Sequence, residues 1–528
     1  MTSAGKRIVR GAAVISLFGL VGKCLGFVQK QIMAFCFGTG AEADAFFLAF
    51  QSIGFAFIAI PQKAIAPFLP LFSEKMAREG EPEAWRFART VGLMLAGVLG
   101  VALIAGILCA PQLVNLTASF EHESTSVLAT RLVRIVLPAS FFLGLAALTY
   151  LLLNAYKRFA FPALGDVVNR ILIIAVVLVL YRRLGIRGMA VAVVVGGLAC
   201  LAVQVVALLW RTPGGLRGGI NFSDPAIRKL AVLVPPVLAG SVLAQIRTIL
   251  DFRFASEMGA GYLSSLSFAK VLPDTLTLLV PAAVGVSIYP FFADLAARND
   301  REGLGATLLA AMRMLAFLFV PATVALIALR LPLVQLVFER GKFTAESVAL
   351  TTGPLAYYSL GMTAFAVEII LIQCYFALKD TKTPFVIGLL TLAVHVSIIL
   401  CLKGEMMHKS IAMAAAISKT LKVIVLFALL RGSIGSLHWR ANLLFGAKVL
   451  AASAVAGAVM WLAYPAVGRV VPAMHGGHLV RAIRLAAVLG IAVGAGALSY
   501  AAAAVALRVE EFTRLLARAG IMKRRSHA

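Results

Sequence analysis

The chain has 528 residues, of which 61% are hydrophobic and 14% charged, with a formal net charge of +26. A water-soluble protein of this length needs more polar surface to cover its core, so lipid must take over part of water's role. The 49 Lys and Arg against 23 Asp and Glu are spread through short loops, a pattern that fits cytoplasmic retention of basic loops and not a nucleic-acid-binding patch.

Apolar runs of about 17–25 residues, each able to span roughly 30 Å of hydrocarbon, recur along the chain. The short alternating segments of a membrane β-barrel are absent. We read an all-α polytopic membrane protein of about fourteen transmembrane helices, over 8–37, 43–73, 87–112, 127–154, 161–181, 186–211, 226–256, 260–292, 303–329, 346–377, 384–402, 409–431, 441–464 and 481–507. Lys6, Arg7 and Arg10 resemble a signal n-region. The apolar stretch behind them has no small-residue cleavage site, so it is expected to remain as the first helix.

An even number of spans puts both termini on one side. The basic amino terminus and Arg508, Arg514, Arg518, Lys523, Arg524 and Arg525 of the tail place that side in the cytoplasm. Lys75, Arg78, Arg86 and Arg89, then Lys157 and Arg158, then Arg211, Arg217, Arg228 and Lys229 mark cytoplasmic loops, whereas 38–43, 113–126 and 257–259 hold no Lys or Arg. Arg182, Arg183 and Arg187 form the one basic loop that this topology puts outside. None of the six cysteines makes a CxxC pair, so neither a metal site nor a disulfide framework is expected.

The sequence repeats with a period of about 220 residues. Pro61, Pro70, Pro111, Pro162 and Arg211 recur in order as Pro281, Pro290, Pro332, Pro384 and Arg431. The basic loops Tyr156-Lys157-Arg158 and Leu378-Lys379-Asp380 precede the fourth pair. Six helices per copy make the repeat parallel, about an axis along the membrane normal, an arrangement that favours a central site and rocking alternating access. The expected division is an N-lobe over 1–220 with helices 1–6 and a C-lobe over 221–435 with helices 7–12. Helices 13–14 and the basic tail occupy 436–528.

Charges lie where lipid should be. Lys23 and Lys30 share nearly one face of helix one, and helix two opens with Asp44 and holds Lys63. Helix seven carries Arg247, Asp251 and Arg253, and helix eight Lys270 and Asp274. Facing lipid, each central cation would cost about 2.5–3.5 kcal/mol. All six would approach roughly 15–20 kcal/mol, more than the roughly 5–15 kcal/mol that holds a typical protein folded. They must therefore face a wet cavity, pair, or snorkel. The i,i+4 pairs Arg247–Asp251 and Lys270–Asp274 allow local ion pairing, and Lys63 can snorkel beside Pro61 and Pro67. Lys23 and Lys30 have no carboxylate three or four residues away. A lysine-rich cavity suits an anion that is carried through, such as a diphosphate, because flexible point charges can follow it.

Three stretches, Leu25-Gly26-Phe27, Phe37-Gly38-Thr39-Gly40 and Ala43-Asp44-Ala45-Phe46-Phe47-Leu48-Ala49-Phe50, resemble the first hairpin of the MurJ/MviN lipid II flippases. Gly341-Lys342-Phe343-Thr344 and Lys379-Asp380-Thr381-Lys382-Thr383-Pro384 resemble later motifs of the same family, and the likeness runs over nearly the whole chain. It implies a MOP-superfamily exporter with two six-helix lobes, moving the undecaprenyl-diphosphate peptidoglycan precursor lipid II to the outer leaflet. It also implies a groove for the lipid tail at helices 13 and 14, no cofactor or metal and no enzymatic activity. The expected setting is a bacterial inner membrane, with a monomeric chain whose partners are the lipid-linked diphosphate glycan and membrane lipids. By position, Lys23 and Lys270 match family arginines and Asp44 the family aspartate. The chain departs from the family at Gly26-Phe27-Val28-Gln29-Lys30, where Gly-Phe-x-Arg-Asp is usual. It departs again over Phe55–Ile60, wholly apolar where an arginine pair is usual, a pair that Lys63 partly replaces.

Other readings remain open. A cationic cavity also suits another polyprenyl-diphosphate-linked glycan, such as an O-antigen or exopolysaccharide unit, and a non-transporting membrane scaffold is a third reading. No Walker A or paired-carboxylate motif supports ATP hydrolysis or glycosyl transfer. His395 is either a satisfied interior histidine or a proton relay. No carboxylate accompanies it within 384–402, so a sodium site of the kind some family members hold is not expected. Lys419 and Lys422 either extend the cationic cavity or mark a displaced helix boundary, and Glu368 is a candidate partner for these cations.

Overall fold

The computed structural model describes residues 3–211, 219–432, 434, 439–471 and 477–512, with most side chains from residue 18 onward. The expected cytoplasmic markers Arg217, Arg514, Arg518, Lys523, Arg524 and Arg525 lie outside the described residues, as do the side chains of Lys6, Arg7 and Arg10. Every regular element among the described residues is helical. Two compact units, Met1–Ser264 and Ser265–Ala528, are described separately.

The first unit runs through α1 (Ser3–Phe37), α2 (Ala41–Phe47), a π-helical segment (Leu48–Gly54), α3 (Phe55–Ala64) and α4 (Phe68–Glu79). It continues with α5 (Glu81–Leu108), α6 (Ala110–Thr117), α7 (Glu123–Ala155), α8 (Ala160–Leu184), α9 (Ile186–Arg211) and α10 (Pro225–Ser256). A short α11 (Tyr262–Ala269) spans the boundary. The second unit holds α12 (Val271–Ala297), α13 (Arg301–Ala328), α14 (Arg330–Phe338), α15 (Ala345–Leu360) and α16 (Met362–Ala377). It ends with α17 (Lys382–Met406), α18 (Lys409–Leu430), α19 (Trp439–Val470) and α20 (His478–Ala506).

Among the described residues, 11 helical spans are long and apolar enough to cross a membrane, and 12 if α15 and α16, bent by 40°, form one. At 32 and 27 residues, α10 and α12 also exceed the roughly 20 residues a crossing needs. The expected fourteen is compatible with this set. The stretch expected as one helix over 43–73 is instead four helical pieces; helix three breaks at Cys109, three residues before its expected end at 112, while helix nine breaks at Leu329, its expected end, and a short α14 follows it. Pro111 and Pro332 follow two and three residues behind those breaks. Lacking an N–H, a proline starts a new helix more readily than it continues one.

The repeat is visible in the backbone of each unit taken alone. Lys157 and Lys379, the middle residues of the two basic loops, both sit in the left-handed region, at φ 56° and 60°. Each ends its helix the same way. Arg158 N–H reaches Leu153 O at 2.8 Å and Lys157 N–H reaches Asn154 O at 2.9 Å; Asp380 N–H reaches Tyr375 O and Lys379 N–H reaches Phe376 O, both at 3.0 Å. These paired bonds satisfy carbonyls that the last helical turn leaves open. Gly185 and Met407 form the next corner of each copy, at φ 55° and 49°.

Helix starts are capped by charge. Asp224 Oδ1 accepts from Ala226 N–H at 2.9 Å while its Oδ2 meets Lys75 Nζ at 2.8 Å, so one buried carboxylate both starts α10 and ties it to α4. Asp300 accepts from Gly303 N–H at 2.8 Å to start α13. In the loop before α17, Asp380 accepts from Thr383 N–H at 3.0 Å, and bonds from the Thr383 side chain and backbone hold its carboxyl below the usual range.

Each unit has its own core. In the first, Phe68 stacks on Phe72 and on Phe87 at 5.5 and 5.4 Å, beside buried Trp85, Val91, Leu148 and Leu152. Trp85 Nε1 donates to the Tyr156 hydroxyl at 2.7 Å, which donates to Glu81 at 2.6 Å. In the second, Phe292, Leu308, Leu315, Ile370, Leu371 and Leu426 are buried together.

Two outcomes are expected. The left-handed conformation costs a non-glycine residue about 1 kcal/mol or more, so Lys157→Gly should hold or raise the thermal unfolding midpoint in detergent and Lys157→Val should lower it. Secondly, burial beside Lys409 pushes the His408 imidazole below its ordinary pKa of 6.5, against a weaker upward pull from its bond to Leu350 O at 2.8 Å. The unfolded chain therefore binds the proton more readily. Stability from neutral His408 is complete above pH 6.5 and declines as pH falls below it. Unfolding midpoints measured across this range should show that decline in the wild type and a smaller one in His408→Gln.

Candidate functional site

In the first unit the site elements are α1, α2, α3 and α10. Lys23 is exposed and Lys30 half-buried on α1, with Lys30 Nζ 4.9 Å from the centre of the Phe47 ring. Such a contact stabilises an ammonium that has left bulk water. Lys63 lies exposed in the last turn of α3, two residues before the turn Ile65–Pro67.

Asp44 occupies a different environment. It is 1% exposed, and it accepts Gly261 N–H at 2.5 Å on Oδ2 and Ser264 N–H at 2.7 Å on Oδ1. Its two oxygens thus hold the corner between α10 and α11, which Ser264 Oγ extends by accepting Gly40 N–H at 3.4 Å. Arg253 is likewise engaged. Its Nη1 donates to Asn115 O and Leu116 O at 2.9 and 3.2 Å, in the last turn of α6, and its Nε lies 3.9 Å from Glu257. Asp44 and Arg253 therefore fasten helix ends. On the same helix as Arg253, Arg247 is half-buried and Asp251 buried.

A further cation of this unit escaped the sequence reading. Arg170 of α8 lies across α1 where Gly22 and Gly26 leave room; a Cβ at Gly26 would come within 2.6 Å of its guanidinium. Asp166 stands one turn before Arg170. An i,i+4 acid–base pair inside an apolar helix was the available signal, the same pattern that drew attention to Arg247–Asp251.

In the second unit Lys270 sits at the junction of α11 and α12, its Nζ 4.9 Å from the centre of the Tyr358 ring, and Asp274 is exposed in the first turn of α12. The helix boundary around Lys419 and Lys422 is not displaced, for α18 places both lysines near its middle. Both pair with Glu368 of α16, Lys419 through Oε2 and Lys422 through Oε1 at 2.7 Å. His395 is fully buried, with Nδ1 3.4 Å from the Ser418 hydroxyl. No cluster able to hold a metal ion occurs among the described residues.

The second unit also holds a groove of about 810 Å³ between the α13–α14 break and α19, lined by Val324, Ile327, Leu331, Trp461, Tyr464 and Pro465 among others. Its walls are mainly apolar, and Trp461 is exposed.

Residues 33–471 match the sequence profile of a family described as "Lipid II flippase MurJ". The chain is similar to a probable lipid II flippase MurJ of Rhizobium meliloti, 30% identical over 482 residues that cover 87% of this chain and 88% of that protein. Among solved structures it is similar to a lipid II flippase MurJ in an inward closed conformation, at a TM-score of 0.76 and 21% identity, covering 97% of this chain and 100% of that one. It is also similar to an inward-facing multidrug resistance transporter of the MATE family in the MOP superfamily, at a TM-score of 0.66 and 16% identity, covering 78% and 94% of the two chains. The last two likenesses establish a shared fold.

The Asp44 geometry predicts a folding phenotype. An asparagine there presents one acceptor oxygen to two backbone donors and turns its NH₂ on the other. A buried donor left unsatisfied costs about 1–3 kcal/mol. Asp44→Asn should therefore lower the yield and thermal midpoint of membrane-extracted protein, whereas Asp44→Glu should recover little, its longer arm overfilling the corner. Wild-type yield and midpoint for Asp44→Asn would show that these two bonds do not hold the corner.

Proposed function

The chain belongs to the lipid II flippase MurJ family, and from that premise we propose that it carries lipid II from the cytoplasmic to the outer leaflet of a bacterial inner membrane by alternating access. The observation that carries this reading is the family match over residues 33–471. The ionisable side chains held within apolar helices add physical support. An intramembrane charge is costly unless it lines a wet path or meets a partner, and the cargo proposed here supplies a diphosphate.

We assign the diphosphate to the cations Lys23, Lys30, Lys63, Arg247 and Lys270. Asp251 and Asp274 limit the net charge that the empty site carries. Asp44 and Arg253 are assigned to holding the scaffold, because both are already engaged by backbone groups. The groove beside α19 is assigned to the polyprenyl tail, on the strength of its apolar lining and its size. The protein acts as a transporter and not as an enzyme, as a monomer with both termini in the cytoplasm.

Complementation of a bacterium depleted of its own lipid II flippase tests the reading. The wild-type chain should restore growth, and Lys23→Ala and Lys270→Ala should each fail at equal membrane abundance. Lys23→Arg should retain activity, since positive charge is what a mobile diphosphate needs, whereas Lys23→Gln should lose most of it and Lys23→Glu all. A snorkelling lysine predicts the opposite order, because deleting its charge removes an insertion cost. Growth with the Gln variant at the wild-type rate would remove Lys23 from the mechanism, and failure of the wild-type chain would remove lipid II as the cargo.

A further inference from the structure

Glu368, Lys419 and Lys422 form a triad deep inside the second unit. Glu368 is 5% exposed, and the two lysine side chains retain 17% and 16% exposure. Lys419 is the eleventh and Lys422 the fourteenth residue of the 22-residue α18, so each lies roughly 12 Å or more from either helix end at 1.5 Å per residue.

Three observations set this triad apart from an ordinary structural ion pair. In the described ion pairs, two ammonium groups meet one carboxylate. Spaced i,i+3, the two lysines share a face of α18 and repel one another unless an anion lies between them. Each lysine also takes a different oxygen, Lys419 on Oε2 and Lys422 on Oε1, so the carboxylate bridges a two-pronged fork as an oxyanion would. The Phe365 ring, 4.3 Å from Lys419 Nζ, and Gly388 of α17, beside Lys422 Nζ, complete the surroundings of the fork.

The fold does not require this arrangement. Carried back by 222 residues, the spacing of Gly185 and Met407, the three positions fall on Ala146, Gly197 and Cys200. There α7 and α9 pack through small residues, and a Cβ at Gly197 would lie 3.3 Å from Leu143 and 3.5 Å from the Ala139 carbonyl. The same helix pair is thus built without charge in the first unit. Burying the ions in the second costs desolvation that an apolar contact would avoid.

We propose that Lys419 and Lys422 form an anion-binding site for a phosphate-type group, and that Glu368 is a tethered competitor holding the site until such a group displaces it. The ligand class follows from the fork: two point-charge donors three residues apart on one helix face fit a phosphate or diphosphate oxygen pair. An anionic lipid headgroup and a soluble diphosphate share that chemistry. The site stands on the triad's geometry and not on the identity of the transported cargo.

The test uses the full-length protein as wild type, Glu368→Gln, Lys422→Gln and the triple variant Glu368→Gln/Lys419→Gln/Lys422→Gln. In detergent, each is titrated with inorganic pyrophosphate; in nanodiscs with and without phosphatidylglycerol, retained lipid is counted by native mass spectrometry. Removing the competitor should strengthen binding of pyrophosphate, or retention of phosphatidylglycerol, by about tenfold or more, the net change of one full charge at close range. The probe that gains identifies whether soluble diphosphate or lipid headgroup is the source. The triple variant should lose the gain. If neither probe gains in Glu368→Gln, or the gain persists in the triple variant, the site does not exist. Should Glu368→Gln fail to fold, wild type against Lys422→Gln decides. The latter keeps a balanced pair and should bind pyrophosphate and retain phosphatidylglycerol more weakly than wild type; equal binding of both overturns the proposal.

Discussion

In the hydrocarbon layer no water waits to complete a hydrogen bond, so each polar group must find its partner inside the protein. Asp44 meets that demand across a long stretch of chain. Its side chain sits 217 and 220 residues from the backbone donors it receives, Gly261 and Ser264. One carboxylate thereby fixes where α2 begins and where the chain turns after α10, and the π-helical segment and α3 continue from that fixed start. The π-helical turn at Leu48–Gly54 is a rare, widened turn of the kind found mostly as bulges inside α-helices.

The same constraint divides the cations by type. Arg253, Arg330, Arg340 and Arg484 each donate to carbonyls in the last turn of a helix: Asn115 and Leu116 of α6, Ile327 of α13, Leu336 and Val337 of α14, and Gly468 of α19. A helix's carboxyl end carries open carbonyls and partial negative charge, and a planar guanidinium meets two of them at once. Lysines are used otherwise. Lys30, Lys270 and Lys419 lie over the rings of Phe47, Tyr358 and Phe365. An ammonium over a ring face gains a cation–π attraction that sets no single bond direction. These four arginines thus close helix ends, while these three lysines sit on aromatic faces.

Much of this was legible in the sequence because it depends on local properties. Apolar length alone marked the spans, and ordered prolines marked the repeat, since Pro111 and Pro332 lie just past matching breaks. The breaks themselves were harder to read. A helix ending at Leu108 and restarting at Ala110 keeps its apolar pattern, and Pro111 is the local sign of the restart. Partners were legible only at short range. The sequence offered Glu368 as a partner for several cations, but its choice of Lys419 and Lys422 lies 51 and 54 residues away and depends on how α16 meets α18. Arg170 lies outside the first two helices of each copy, where the other charges cluster, and the glycines that accommodate it, Gly22 and Gly26, read in sequence as ordinary small residues of a membrane helix.

The motifs that carry the family resemblance turn out to be corner pieces. Gly38 of Phe37-Gly38-Thr39-Gly40 is at φ 62° and Gly341 of the Gly341-Lys342-Phe343-Thr344 stretch at φ 60°. Phe343 fills the space between Phe268 and Phe338, 5.4 and 5.5 Å from their ring centres. Lys379 and Asp380 end one helix and cap the next. Positive φ, a ring-shaped gap and an N-terminal cap each accept few residue types, so these positions hold the fold. A cation facing a mobile diphosphate is constrained differently: it must be positive and reachable, and either lysine or arginine meets that need. On the proposed reading, Lys23 and Lys270 meet that need as arginine would. Differences in cargo among such proteins should then reside in the cation set, because that is where the physics leaves room to change.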